Sequence, residues 1–107
     1  MSKDSLNRLR RRIEDLDVEL LRLLNERAAV SVQIGKLKVQ NGLGIYDRCR
    51  EETIYGYLAR HNQGPMKTSE INRIFCEIIS VSRKLQSATA GDDSEARVEP
   101  AAESTSG

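Results

Sequence analysis

LNRLRRRIEDLDVELLRLLNERAAVSVQIGKLK, residues 6–38, contains no Pro and repeats Leu, Ile and Val at helical intervals. Advancing about 100° per residue from Leu9 brings Ile13, Leu16, Leu20, Leu24, Arg27, Ser31, Ile34 and Lys38 within roughly 60° of one line, a single helical face. The face begins apolar and then carries two cations, Arg27 and Lys38. A cation on a core face is expensive, so it must be paired, matched by an anionic ligand, or left to snorkel with its head in water.

The stretch predicts a helix over about 6–40, with Asp4 or Ser5 as its cap and Asn41-Gly42-Leu43-Gly44 as its stop. Gly35 lies inside it at a cost of about 1 kcal/mol, which points to close approach of another backbone or of a ligand. At about 1.5 Å per residue the helix extends some 50 Å. A globule of about ninety residues is only some 30 Å across. The apolar stripe therefore predicts a partner, most simply a second copy in an intertwined homodimer.

Working outward, a second helix is expected over 48–62 with Asp47 as N-cap, and Asp47, Glu51, Ile54 and Leu58 share one face. Gln63-Gly64-Pro65 breaks it. A third is expected over 69–86, capped by Thr68 or Ser69, with Ile71, Ile74, Phe75, Ile78, Ser82 and Leu85 on one face and Gln86 at its edge. The fold class is all-α, three helices, one very long and two shorter. Residues 1–86 form the helical domain. Residues 87–107, SATAGDDSEARVEPAAESTSG, have small and acidic side chains and no period, the composition of a disordered tail or a linker to a further domain.

Composition agrees. Aromatics are 4% and Trp is absent, so any core is aliphatic, while charged residues make up 31% of the 107. The net charge of +1 conceals an asymmetry: residues 1–86 hold 16 of 17 Lys/Arg and 11 of 16 Asp/Glu, a net of +5, and residues 87–107 hold 1 and 5, a net of −4. A modestly basic body suits a small anion. Cys49 and Cys76 lack metal-ligand or Cys-x-x-Cys spacing and read as reduced thiols. His61, at the end of the second helix, reads as solvated. No apolar segment resembles a signal peptide or a membrane span, so a cytoplasmic protein is expected. Metal and covalent catalysis find no residues here. The basic cluster Arg8, Arg10, Arg11 and Arg12 lacks the spacing or aromatics of a nucleic-acid site.

The polar residues that interrupt apolar faces form one set: Arg27 and Lys38 from the first helix, Asp47 and Glu51 from the second, Ser82 and Gln86 from the third, with Arg10 and Arg50 flanking. A pocket lined by them is cationic, with one or two acids and an amide. It suits a small dianion that also carries a hydroxyl. With no evident nucleophile, the chemistry it favours is rearrangement or elimination by positioning and electrostatics.

The chain strongly resembles the all-helical class of chorismate mutases. The resemblance is carried by LRRRIEDLDVELLRLLNERAAVSVQIGKLK, IYDRCREE and INRIFCEIISVSRKLQ, which together span roughly residues 6–86. LNERAAV alone is a weak signal. The ordered set Arg10, Arg27, Lys38, Asp47, Arg50, Glu51, Ser82 and Gln86 is specific, and every position is filled.

The resemblance implies a pericyclic rearrangement of chorismate to prephenate in phenylalanine and tyrosine biosynthesis, without cofactor or metal, in a homodimer with shared active sites. It implies that Arg27 binds one carboxylate and that Arg10 reaches in from the partner subunit for the other. Lys38 and Gln86 hydrogen-bond the breaking ether oxygen. Glu51, helped by Asp47, takes the ring hydroxyl, and Arg50 and Ser82 complete the wall. Lys38, Gln86 and Glu51 are then the catalytic set. Arg10 lies about 100° around the helix from Arg27, which agrees with its serving a partner's pocket.

Three rivals stand beside this reading, one of them a basic nucleic-acid adaptor, which does not explain Asp47, Glu51, Ser82 and Gln86 together. An isochorismate-pyruvate lyase on the same fold keeps the cationic anchors, but Glu51 and Ser82 favour the mutase. A non-catalytic helical dimerisation module explains the stripes but not Asp47, Glu51, Ser82 and Gln86 together. A complex with another shikimate-pathway enzyme is left open by the basic surface.

Overall fold

The structure, a computed structural model, describes residues 2–91, with side chains through Ala88. It consists of α1 (Lys3–Gln40), α2 (Arg48–His61) and α3 (Thr68–Gly91), with no strand among the described residues. The all-α, three-helix expectation holds. The chain divides between Val30 and Ser31 into two units, described in turn.

The first unit is the N-terminal part of α1. Ser2 Oγ accepts the Ser5 N–H at 3.1 Å and satisfies one of the open donors of the first turn. The cap is therefore Ser2, not Asp4 or Ser5, and Asp4 sits in the first turn, where its charge faces the positive end of the helix dipole. The apolar stripe lies in the open: Leu9, Ile13, Leu16, Leu20 and Leu24 are all exposed, Ile13 by 57%. Arg22 bridges Glu19 at 2.6 Å and Glu26 at 2.8 Å, and these carboxylates hold its guanidinium above the usual arginine range. Pairs this exposed add little to stability.

The second unit contains the rest of α1 from Ser31, then α2 and α3. The C-terminus of α1 closes as a Schellman motif. Gly42, at φ 68°, occupies the left-handed position, its N–H reaches Val39 O at 3.1 Å, and Leu43 N–H reaches Lys38 O at 2.8 Å. Asp47 caps α2 as expected: its backbone is extended and its Oδ1 accepts the Arg50 N–H at 3.0 Å. α2 ends at His61, one residue earlier than expected, because Asn62 turns extended and ties down the following turn. Asn62 Oδ1 accepts from Gly64 N–H and its Nδ2 donates to Met66 O, each at 2.9 Å. His61 is exposed and donates from Nδ1 to Tyr57 O at 2.8 Å.

α3 starts one residue earlier than expected. Lys67 N–H donates to Glu70 Oε1 at 2.9 Å, the glutamate arm of a capping box, so the cap position belongs to Lys67 rather than to Thr68 or Ser69. The helix then runs on to Gly91, past the expected end at Gln86. Ser87-Ala88-Thr89-Ala90 contains no breaker and two strong helix formers, so nothing stops it there. The boundary of the helical region moves from 86 to 91, and residues 92–107 of the expected tail lie outside the described residues.

α2 packs on α3. At that contact, burial and the Cys76 thiol push the Tyr55 phenol above its ordinary range. The interior is thin. Ile79 is the one buried hydrophobic side chain among the described residues, while Ser31, Ser82 and Gln86 are buried polar ones. No helix among these residues is long and apolar enough to cross a membrane.

Candidate active site

The buried polar residues of the second unit fall on two helix faces in register. α1 presents Ser31, Gly35 and Lys38, separated by four and three residues, and α3 presents Ser82 and Gln86, separated by four. Ser31 Oγ donates to Ser82 Oγ at 3.1 Å. One turn further along both helices, Gly35 meets Gln86. A Cβ on Gly35 would stand 2.8 Å from Gln86 Cα and 3.0 Å from Gln86 O, so only glycine allows the two backbones this close. The close approach expected of Gly35 is thus an approach of α3.

That contact sets the next one. Lys38 lies one turn beyond Gly35, and its Nζ donates to Gln86 Oε1 at 2.9 Å and to Ile45 O at 2.8 Å. An ammonium has no acceptor, so the Gln86 amide must turn its oxygen toward Lys38 and its NH2 away. The Schellman turn holds the other end of the same residue, since Lys38 O accepts from Leu43 N–H. Lys38 is half-buried, and among the described residues no carboxylate pairs with it. Both of its partners are neutral, so its positive charge stays available to a ligand.

Glu51, one turn into α2, is half-buried with its Oε2 2.6 Å from Arg83 Nη1 of α3. This bond holds the Arg83 guanidinium above the usual arginine range. The guanidinium also lies over the Tyr46 ring, 5.4 Å from its centroid. Beside it, an open groove of about 650 Å³ is lined by Ile45, Tyr46, Ser80, Arg83, Lys84, Ser87 and Ala88.

Of the eight expected site residues, the second unit brings Lys38 and Gln86 into direct contact and buries Ser82 in the next turn. Glu51 is held at α3. Asp47 and Arg50 are exposed and are tied to each other through the α2 cap. Arg10, exposed, and Arg27, half-buried, belong to the first unit. Two participants were not singled out from sequence, Ser31 and Arg83. Ser31 sits on the α1 stripe between Arg27 and Lys38, so a polar break was visible there. Arg83 follows Ser82 and lies about 60° beyond Gln86 around α3, outside the apolar face, so no break in the stripe marked it. No group of His, Cys, Asp and Glu among the described residues could hold a metal ion.

Fold and site define an all-helical protein whose polar centre is a cation-bearing contact between α1 and α3. Residues 9–87 match the family described as chorismate mutase type II, and the chain belongs to that family. It is 36% identical over 83 residues to the bifunctional chorismate mutase/prephenate dehydratase of Pseudomonas aeruginosa, covering 73% of this chain and 23% of that protein. It is also 36% identical over 87 residues to the protein of the same name from Aquifex aeolicus, covering 78% and 24%. The chain thus spans about a quarter of the length of these relatives. Among solved structures, chorismate mutase form II from Thermus thermophilus superposes with a TM-score of 0.76 at 36% identity, over 78% of this chain and 94% of that one. Form I from the same organism gives 0.71 at 37%, over 73% and 98%.

Proposed function

We propose that this chain catalyses the rearrangement of chorismate to prephenate. The observation that carries the reading is the pairing of Lys38 Nζ with Gln86 Oε1. It leaves two donors, the third ammonium proton and the Gln86 NH2, for the ether oxygen of the substrate. In the rearrangement the ether C–O bond breaks as a C–C bond forms within one molecule, with no proton or electron exchanged. Negative charge builds on the ether oxygen in the transition state, where preoriented donors act most strongly.

The remaining roles are those the family resemblance implies. Arg27 binds one carboxylate and Arg10 of a second copy binds the other. Glu51 accepts from the ring hydroxyl, and Asp47, Arg50 and Ser82 complete the wall. The exposed stripe of the first unit supports the homodimer this requires, since an apolar face of that kind marks an interface. The reaction needs no cofactor, and the exposed thiols of Cys49 and Cys76 suit a cytoplasmic enzyme.

The test follows chorismate absorbance with prephenate formation for the wild-type chain and for Lys38→Ala, with isochorismate as a control substrate. Turnover of chorismate is expected. Lys38→Ala should lower kcat by at least roughly two to three orders of magnitude, the usual cost of an oxyanion donor, with helicity by circular dichroism unchanged. Near-normal kcat in that variant removes Lys38 from the mechanism. Salicylate and pyruvate from isochorismate, without prephenate from chorismate, replaces the activity.

A further inference from the structure

Glu51 is a flexible carboxylate with a demanding task. Its side chain retains 19% exposure at the edge of the second unit, and three rotatable bonds let it swing into water. What holds it is Arg83. Nη1 fixes Oε2 at 2.6 Å, which leaves Oε1 as the acceptor a ligand can use. Arg83 is itself oriented by Tyr46, over whose ring the guanidinium lies. It stands on the turn of α3 that also carries Ser82 and Gln86. The turn that meets α1 at Gly35 therefore also sets the position of a carboxylate on α2.

We propose that Arg83 is a positioning residue, fixing Glu51 so that Oε1 is presented to the ring hydroxyl of the substrate. This role rests on the mutase reading and adds to it a residue that touches Glu51 rather than the reacting atoms. It also joins the two halves of the site through one helical turn: the donor pair at the ether oxygen and the acceptor at the hydroxyl keep a common register. A planar guanidinium suits the task better than an ammonium, since it can bond the carboxylate in its plane while its face rests on the Tyr46 ring.

The experiment is a double-mutant cycle on the full chain with chorismate, using Arg83→Met, Arg83→Lys, Glu51→Gln and the double variant Arg83→Met/Glu51→Gln. Arg83→Met should lower kcat/KM by about tenfold, a loss of the order expected for a charge-assisted hydrogen bond. The loss should divide between KM and kcat as the Glu51→Gln loss does. Arg83→Lys should recover most of it. In the Glu51→Gln background the same Arg83→Met change should cost less than about twofold, because its effect passes through the carboxylate. Circular dichroism and Tm, read at one protein concentration, should match the wild type throughout. A full tenfold loss in both backgrounds overturns the proposal, since Arg83 then acts on substrate or packing directly. Wild-type kinetics in Arg83→Met overturn it as well. A wild-type chain without chorismate turnover overturns the mutase reading and this role together, an outcome distinct from the other two.

Discussion

Gln86 joins the architecture of the second unit to the proposed chemistry. Its backbone is the surface on which Gly35 rests, its Oε1 faces Lys38, and its NH2 points away from the ammonium. An amide donates a hydrogen bond at any pH, whereas a carboxyl group in its place donates only when protonated. Gln86→Glu should therefore shift the pH optimum for chorismate turnover downward, measured as kcat against pH. An unchanged profile would place Gln86 away from the ether oxygen. At this scale the sequence was readable where a polar residue broke an apolar face, which is how Lys38, Ser82 and Gln86 stood out. Ser31 broke the same face, but a short neutral hydroxyl signals nothing until its partner, Ser82, is known. The Ile45 carbonyl that receives Lys38 is backbone, and no residue type encodes it.

At the scale of elements, two glycines of α1 and its turn separate packing from conformation. Gly35→Ala gains about 1 kcal/mol of helix propensity. Its Cβ, however, meets the Gln86 backbone at 2.8 Å, and overpacking of this kind costs about 1–3 kcal/mol because a backbone cannot swing aside. The helices must part, and Lys38 parts from Gln86 with them. Activity should fall by about a hundredfold, as for a misplacement near 1 Å, with only a small loss in Tm. Gly42→Ala should do the reverse. Nothing lies within 4 Å of its Cβ, so the strain is purely that of a left-handed backbone, about 1–2 kcal/mol. Tm should drop while kcat at room temperature stays close to wild type. Thermal melts and chorismate kinetics on the two variants check both. The helices themselves were legible from their periods, as were the α1 stop at Gly42 and the α2 start at Asp47. The start of α1 and both ends of α3 were not, because Ser2, Lys67 and the run 87–91 are settled by single hydrogen bonds or by the lack of a breaker.

At the scale of the whole molecule, the first unit leaves Leu9, Ile13, Leu16, Leu20 and Leu24 in water, and the second buries a single hydrophobic side chain among the described residues. In the proposed homodimer that face is covered, and stability then depends on association. Tm should rise with protein concentration, and specific activity should fall on dilution. If Arg10 serves the partner's site, mixing Arg10→Ala with Lys38→Ala should restore activity that neither has alone. Random exchange makes half of the dimers mixed, each with one intact site, so about a quarter of wild-type activity should return. No recovery after verified subunit exchange would mean that each chain supplies its own Arg10. The exposed stripe also bears on inheritance. In the proposed two-fold assembly one codon writes two side chains into the same interface, so each change in Leu16 or Leu20 would be felt twice.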